Sequence, residues 1–363
     1  MTRANDARAG RRSRLADILG ELRCDAAVIS HLPNVRYLSG FTGSNGLLFL
    51  QPHAATLFTD PRYELQAREE ADCSVRVVPG STWEALWKFA ARRARRIAVE
   101  TDRIPHQVWA QAAETLGRRV KLLSLNGAVE RLRRIKSAAE ADAIRASARL
   151  CAQAFRQAVR RFRPGMTENE AAAEIEYRMR RLGASAPAFE TIVAAGARAA
   201  LPHARPGSVK LAAGQPVLID MGANLDGYMS DMTRMVCLGA PPRKFLRLYK
   251  AVLEAQQAAL EAIRPAVEAR KVDAAARRVL QKHGLDRFFT HSTGHGVGLE
   301  IHEAPRVGAK SGDVLEEGMV VTVEPGIYLE GEAGIRIEDT VLITAAGAEI
   351  LTPVPKELMV LES

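Results

Sequence analysis

Cysteine is scarce in this chain. Cys24, Cys73, Cys151 and Cys237 are all that 363 residues contain. Their spacings fit neither a zinc cluster nor a Cys-x-x-Cys redox pair, so free thiols in a reducing cytoplasm are expected. Aromatic residues are also few, at 5%. They do not interleave the cations, so the basic balance (Lys plus Arg 51, Asp plus Glu 42, net +9) lacks the stacking platforms of a nucleic-acid surface. The basic runs Arg92–Arg96, Arg131–Lys136, Arg160–Arg163 and Arg178–Arg181 are short and read as solvated helix faces. Long apolar runs are missing as well. The longest uncharged stretch, Tyr37–Thr59, carries Gly, Asn, Gln, His and Pro and is no membrane span. The first dozen residues lack the apolar region of a secretory signal. A cytoplasmic chain with neither nucleic acid nor membrane as partner is therefore expected.

What is present suits a folded enzyme-sized protein. At 47% hydrophobic and 26% charged, the composition excludes collagen-like, disordered and disulfide-scaffold classes. The length suggests two domains. Residues 1–12 read as a disordered tail. Residues 13–130 alternate helical and strand patterns, with strands expected at Ala26–Ser30, Gly46–Leu50, Ala55–Thr59, Val75–Val78, Ile97–Glu100 and Leu122–Leu125. That is a small α/β domain.

Residues 131–363 have a different plan. Ser137 with Glu140, and Thr167 with Glu170, are capping boxes that open two helices. Two strands follow, Gln215–Met221 and Tyr228–Cys237. Two more helices then run to about Ile263 and His283, followed by strands Met319–Val323 and Ile335–Ile343. The unit helix, helix, strand, strand thus occurs twice, a little over 100 residues apart.

Each strand pair carries acids among apolar residues. With Asn224-Leu225-Asp226-Gly227 at the tip of the first hairpin, Asp220 would face Asp231 directly, a destabilising pair of like charges. Counting inward from Glu324 and Glu338 meets at Gly331, so these two also would face each other. Buried unpaired carboxylates are too costly to stay ionised without compensation, and a shared cation is the simplest remedy. Four carboxylates on one sheet can hold two divalent ions. His295 joins them from His291-Ser292-Thr293-Gly294-His295-Gly296, with His302 close behind. One imidazole and four carboxylates make a hard, oxygen-rich site that favours Mn²⁺ or a related ion over thiolate-bound zinc.

These residues resemble the ligand set of the pita-bread metallopeptidases. The strings LIDMGANLDGYMSDMTR, HSTGHGVGLEIHEAPR, VEPGIY and GIRIEDT are similar to the Xaa-Pro peptidase branch, aminopeptidase P and prolidase. NVRYLSGFTGSNG and TDPRYELQA resemble the creatinase-type N-terminal domain of that branch. The resemblance implies an α/β protein with a creatinase-type domain followed by a duplicated ααββ, or pita-bread, catalytic domain. It implies that Asp220, Asp231, His295, Glu324 and Glu338 bind two divalent ions, Mn²⁺ first and Co²⁺ or Zn²⁺ as alternatives, with Asp231 and Glu338 bridging. A hydroxide between the ions would attack the bond before a penultimate proline, and Glu324 would shuttle the proton. His203, His302 and His291 match substrate-contacting histidines; Arg336 and Tyr328 match groups that orient the ligands. Met235 departs from the family's usual Thr. Arg306 could grip a free carboxylate, which would suit a dipeptidase. An aminopeptidase P is the favoured expectation and prolidase the alternative. A metal-free amidinohydrolase and a non-enzymatic binding module are the rivals from other classes. The resemblance also implies a homodimer or tetramer.

Overall fold

In a computed structural model, which describes residues 2–362, the chain divides between Arg133 and Arg134 into two compact units. The first unit is built on a six-stranded sheet. Its strands are Ala26–Ile29, Leu47–Gln51, Ala54–Thr59, Ser74–Val77, Arg96–Val99 and Lys121–Ser124. Their lateral order is fourth, third, second, first, fifth, sixth. The first three pair antiparallel in sequence order, and the remaining pairs are parallel. Every residue of Ala26–Ile29 is buried, the apolar run expected of a strand covered on both faces. The helix Thr82–Ala90 starts on Ser81, whose side chain accepts from the Glu84 N–H, and packs Leu86, Trp87 and Ala90 with Phe49, Phe58 and Ile97.

The expected tail is different. Met1 lies outside the described residues, but Thr2–Glu21 is one helix. Long-range bonds explain why the basic segment is ordered. Arg8 and Arg12 both bond the Asp72 carboxylate, at 3.2 and 2.6 Å. Arg11 and Arg12 donate to the carbonyls of Tyr37 and Leu38. These arginines act as anchors, which a local reading of polar composition could not show.

The second unit contains the duplication. Helices Ala138–Val159 and Glu168–Arg181 lead into a sheet of Ile192–Ala195, Pro216–Met221, Met232–Leu238 and the C-terminal strand Met359–Leu361. Helices Arg243–Ala262 and Ala269–Lys282 lead into a sheet of Gly294–Gly296, Glu303–Val307, Val320–Val323, Asp339–Thr344 and Gly347–Ile350. Both expected capping boxes form at Ser137 and Thr167. The second half reproduces the first even in its turns. Gly165, at φ +89°, donates to the Leu211 carbonyl, and Ala266, at φ +65°, donates to that of Leu315. Thr167 bridges Lys210 and Glu268 bridges Val314.

The two hairpins differ in register from one another. In the second half, Val323 lies opposite Asp339 and Gly326 opposite Arg336. That single register places Glu324 opposite Glu338, as the sequence predicts. In the first half, Leu225 pairs with Tyr228 and Asp220 pairs with Thr233 rather than Asp231. The turn is the two-residue loop Asp226-Gly227, with φ +46° and +77°. Both central residues have φ > 0, the demand of a type I′ hairpin, and Asp-Gly meets it better than the four-residue tip expected above. Asp231 is therefore the diagonal neighbour of Asp220, two residues along the same face.

Candidate metal centre

The strand Pro216–Met221 delivers Asp220, and Asp231 lies in the gap before Met232–Leu238. Glu324 follows Val320–Val323, and Glu338 precedes Asp339–Thr344. His295 is the middle residue of Gly294–Gly296. A Cβ on Gly294 would overlap the Thr322 carbonyl oxygen, and one on Gly296 that of Ala304. The glycines on either side of His295 thus let its strand lie against its neighbours.

All five side chains meet. Carboxylate oxygens of Asp220, Asp231 and Glu338 lie within 4.8 Å of one another, and all three residues are buried. His295 Nε2 is 3.6 Å from Asp231 Oδ2 and 3.4 Å from Glu324 Oε1. The other ring nitrogen, Nδ1, is 3.1 Å from the Gly296 carbonyl. A carbonyl can only accept, so Nδ1 carries the proton and Nε2 presents a lone pair to two carboxylates. Burial, followed by the neighbouring His302, pushes the His295 pKa down to about 4, so the ring is neutral at pH 7. Asp220 Oδ1 is buried and bonds no described residue. A lone pair and an orphaned carboxylate oxygen directed into one acidic cluster are what a cation would satisfy, and the residues present therefore fit divalent metal ions.

The electrostatics agree. Burial raises Asp231 well above the usual carboxylate range, and Glu338 and Asp220 add to it. Burial, followed by Glu324, does the same to Glu338, while burial alone is the largest cause that pushes Glu324 up to about 8. Four carboxylates cannot all ionise here unless positive charge compensates them.

One buried guanidinium supplies part of that charge. Arg336 donates to Asp220 Oδ2 at 2.6 Å, to Thr233 Oγ1 at 3.0 Å and to the Tyr328 hydroxyl at 2.7 Å. Thr233 in turn donates to Glu338 Oε2 at 2.7 Å. Tyr328 lies 2.8 Å from His291 Nε2, and His291 Nδ1 lies 2.8 Å from the Ser292 carbonyl. The carbonyl again places the His291 proton on Nδ1, so Tyr328 donates to Nε2. Both His291 nitrogens are thus engaged by the protein.

A cavity of about 630 Å³ opens onto the cluster. His203, His291, His302 and Arg306 all line it, with Phe189, Ile192 and Ile301 as apolar wall. The His302 ring stands 4.3 Å from that of His295, edge to face. Arg306 donates from Nε to Ser292 Oγ at 2.7 Å; its Nη1 and Nη2 bond no described residue. Met235 is buried in the hydrophobic core beside Leu218 and Phe245, so this departure lies off the cavity wall.

Sequence reasoning missed the groups that hold the histidine loops. Buried Asp273 accepts from Thr293 N–H and Oγ1, and Arg277 donates to the carbonyls of Phe289 and His291. Buried Glu168 accepts from the N–H groups of Ala195 and Gly207 and pairs with Arg198. The available signal was an acid on the apolar face of each helix, as in Val272-Asp273-Ala274-Ala275.

The fold and site define a two-unit metallopeptidase architecture. The family description "Metallopeptidase family M24" matches residues 142–345, and "Creatinase/Prolidase N-terminal domain" matches residues 11–135. The chain is 35% identical to an Xaa-Pro dipeptidase of Pyrococcus horikoshii, over 95% of this chain and 97% of that one. Among solved structures it resembles an Xaa-Pro dipeptidase from Bacillus anthracis, with a TM-score of 0.94 and 35% identity over 98% of this chain and 100% of that one. It also resembles an X-Pro aminopeptidase from Thermotoga maritima, with a TM-score of 0.90 and 37% identity over 96% and 99%. The chain belongs to metallopeptidase family M24, in the form that carries a creatinase-type N-terminal domain. Among the described residues, no helix is long and apolar enough to cross a membrane.

Proposed function

We propose that this protein is a dinuclear-metal Xaa-Pro peptidase that cleaves the bond between an N-terminal residue and the proline after it. The observation that carries the reading is the convergence of the His295 Nε2 lone pair and the orphaned Asp220 Oδ1 on one carboxylate cluster at the base of a cavity. Asp220, Asp231, His295, Glu324 and Glu338 would hold two ions, Mn²⁺ first, with Asp231 and Glu338 shared. Such ions polarise a carbonyl and lower the pKa of water toward neutrality.

The chain's own groups do the rest. Arg336 and Thr233 hold Asp220 and Glu338 in place. Glu324 is the acid that passes a proton toward the proline nitrogen. His302, exposed in the cavity and free of any hydrogen bond to a described side chain, donates to the scissile carbonyl oxygen as charge develops there. His203 contacts the substrate from the cavity rim. His291, engaged at both nitrogens, supports Tyr328 and shapes the wall.

Arg306 decides substrate length. Its two terminal nitrogens lie in the cavity wall without a described partner, a fork suited to the free carboxylate of a dipeptide. That observation favours Xaa-Pro dipeptides over longer chains, the reading that the sequence left as the alternative to an aminopeptidase P. The test is a panel of Xaa-Pro and Xaa-Pro-Yaa peptides assayed with Mn²⁺ at one pH. Faster cleavage of Xaa-Pro, with KM raised by Arg306→Ala, supports the dipeptidase; preference for Xaa-Pro-Yaa restores the aminopeptidase. No cleavage of either would overturn the peptidase reading.

A further inference from the structure

Lys136 is almost completely inside the second unit, its side chain 2% exposed. Its Nζ is 3.1 Å from Glu303 Oε2, and the Glu303 side chain is 7% exposed. Two charges removed from water in this way need a structural reason, because desolvation offsets most of their attraction.

The reason lies in what each partner is attached to. Glu303 follows His302 directly. Its second oxygen, Oε1, accepts from the Glu300 N–H at 3.1 Å, and the Gly298 N–H donates to the Glu300 carbonyl at 3.1 Å. A Cβ on Gly298 would stand 2.7 Å from both Glu303 carboxylate oxygens. The carboxylate thus fills the inside of the turn that ends in His302. The ladder gives this turn little help, because the register between the flanking strands shifts between His295 and Gly296.

Lys136 is fixed at its other end. Its backbone N–H donates to the Gly318 carbonyl at 2.8 Å, and Ile135 bridges Met319. That segment runs straight into the strand Val320–Val323, whose next residue is Glu324. The backbone of Lys136 is therefore bound to the strand that carries Glu324, and its ammonium to the turn that carries His302.

We propose that Lys136 is a positioning residue that sets the distance between His302 and Glu324 through Glu303. The inference rests on the peptidase reading, in which those two groups serve opposite sides of the scissile bond. A misplacement of about 1 Å at such a site costs up to roughly 10²-fold in rate.

The experiment compares the full-length protein with Lys136→Met, Glu303→Gln and the double variant. It measures kcat and KM for an Xaa-Pro peptide, bound metal, Tm and the crystallographic distance between His302 and Glu324. Each single variant should lose kcat by about tenfold to a hundredfold with KM changed little and metal content retained. The double variant should be no worse than the worse single one, because one link is cut only once. Lys136→Arg, which keeps the charge, should recover part of the loss. Additive losses, a single variant with wild-type kcat, or an unchanged distance in the variants would overturn the proposal. If Lys136→Met fails to fold, Glu303→Gln cuts the same bond and its kcat and distance decide. If the wild-type protein cleaves no Xaa-Pro peptide, the peptidase reading fails, and the measured distances still decide the positioning claim.

Discussion

The two halves of residues 134–363 share helices, turns and strand order, yet they contribute to the site unequally. The first half offers two aspartates set diagonally across a hairpin, Asp220 opposite Thr233 and Asp231 two residues on. The second half offers two glutamates directly opposite one another, and His295 as well. The halves also support each other crosswise. Arg336 of the second half bonds Asp220 of the first, and Thr233 of the first bonds Glu338 of the second. Arg234 of the first half is 2% exposed and pairs with Asp339 of the second at 2.7 Å. The duplication supplies the scaffold and two acids from each half, and the halves diverge in hairpin register and in the histidine that only the second one adds.

Substitutions of the acids proposed to be shared should break this comparison most severely. Asp231→Asn and Glu338→Gln are expected to release metal and to lower activity by more than the 10–100-fold typical of an outer-shell change. Elemental analysis beside the peptide assay checks this. Equal metal content in wild type and both variants would place the ions elsewhere.

The histidines test the second half against itself. His302→Ala should lower kcat by about 10²–10³ with metal retained, as for the loss of an oxyanion donor. His295→Ala should lose metal. Metal loss in both would merge the two roles.

Thr233→Val tests the link from the first half to the second. It removes a group that holds Glu338 and meets Arg336, so metal affinity should fall by about 10–100-fold. Metal titration of the chelated protein measures it.

The pH dependence of the chelated protein follows from the same cluster. The folded value of Glu324 is raised from 4.5 to about 8, and Asp231 and Glu338 are raised too. A raised acid contributes stability that is complete below its unfolded pKa and lost as pH rises through its folded pKa. His295 is lowered, so its effect of opposite sign falls below pH 6.5. Between pH 7 and 9 the Tm of chelated protein should therefore drop, and added Mn²⁺ should restore more stability at the higher pH. Calorimetry with and without metal shows it; a Tm that rises from pH 7 to 9 after chelation would contradict the buried-acid account.

The smallest effect compares the repeated turns. Gly165→Ala meets no atom within 4 Å but keeps φ +89°, so it should cost about 1 kcal/mol. Ala266→Gly should stabilise by a similar amount. In a unit of this size each amounts to a Tm shift of about 2–4 °C.

Much of this was legible in the chain. Strand positions in the first unit, both capping boxes and the repeated order of elements follow from apolar periodicity and local hydrogen-bonding chemistry. Those signals act within a few residues, so they survive in a linear reading. The register of Glu324 against Glu338 was legible for the same reason, because a short polar tip fixes the count. The first hairpin was misjudged by two residues. Asn224 and Asp226 both suit turns, and only the backbone conformation at Asp226 and Gly227 selects between them.

The remaining features depend on groups far apart in sequence. The amino-terminal helix is held by Asp72, Arg336 reaches Asp220 across 116 positions, and Lys136 reaches Glu303 across 167. Apart from the amino-terminal helix, the sequence by itself determined the main helices and strands and which acids belong to them, because propensity, capping and pleat are local. Only the tertiary structure decided how Asp220 and Asp231 are set across their hairpin, which histidine nitrogen stays free and which carboxylate oxygen Arg336 bonds. Those outcomes depend on burial and on distances of 2.6–3.6 Å that exist only after both halves have packed.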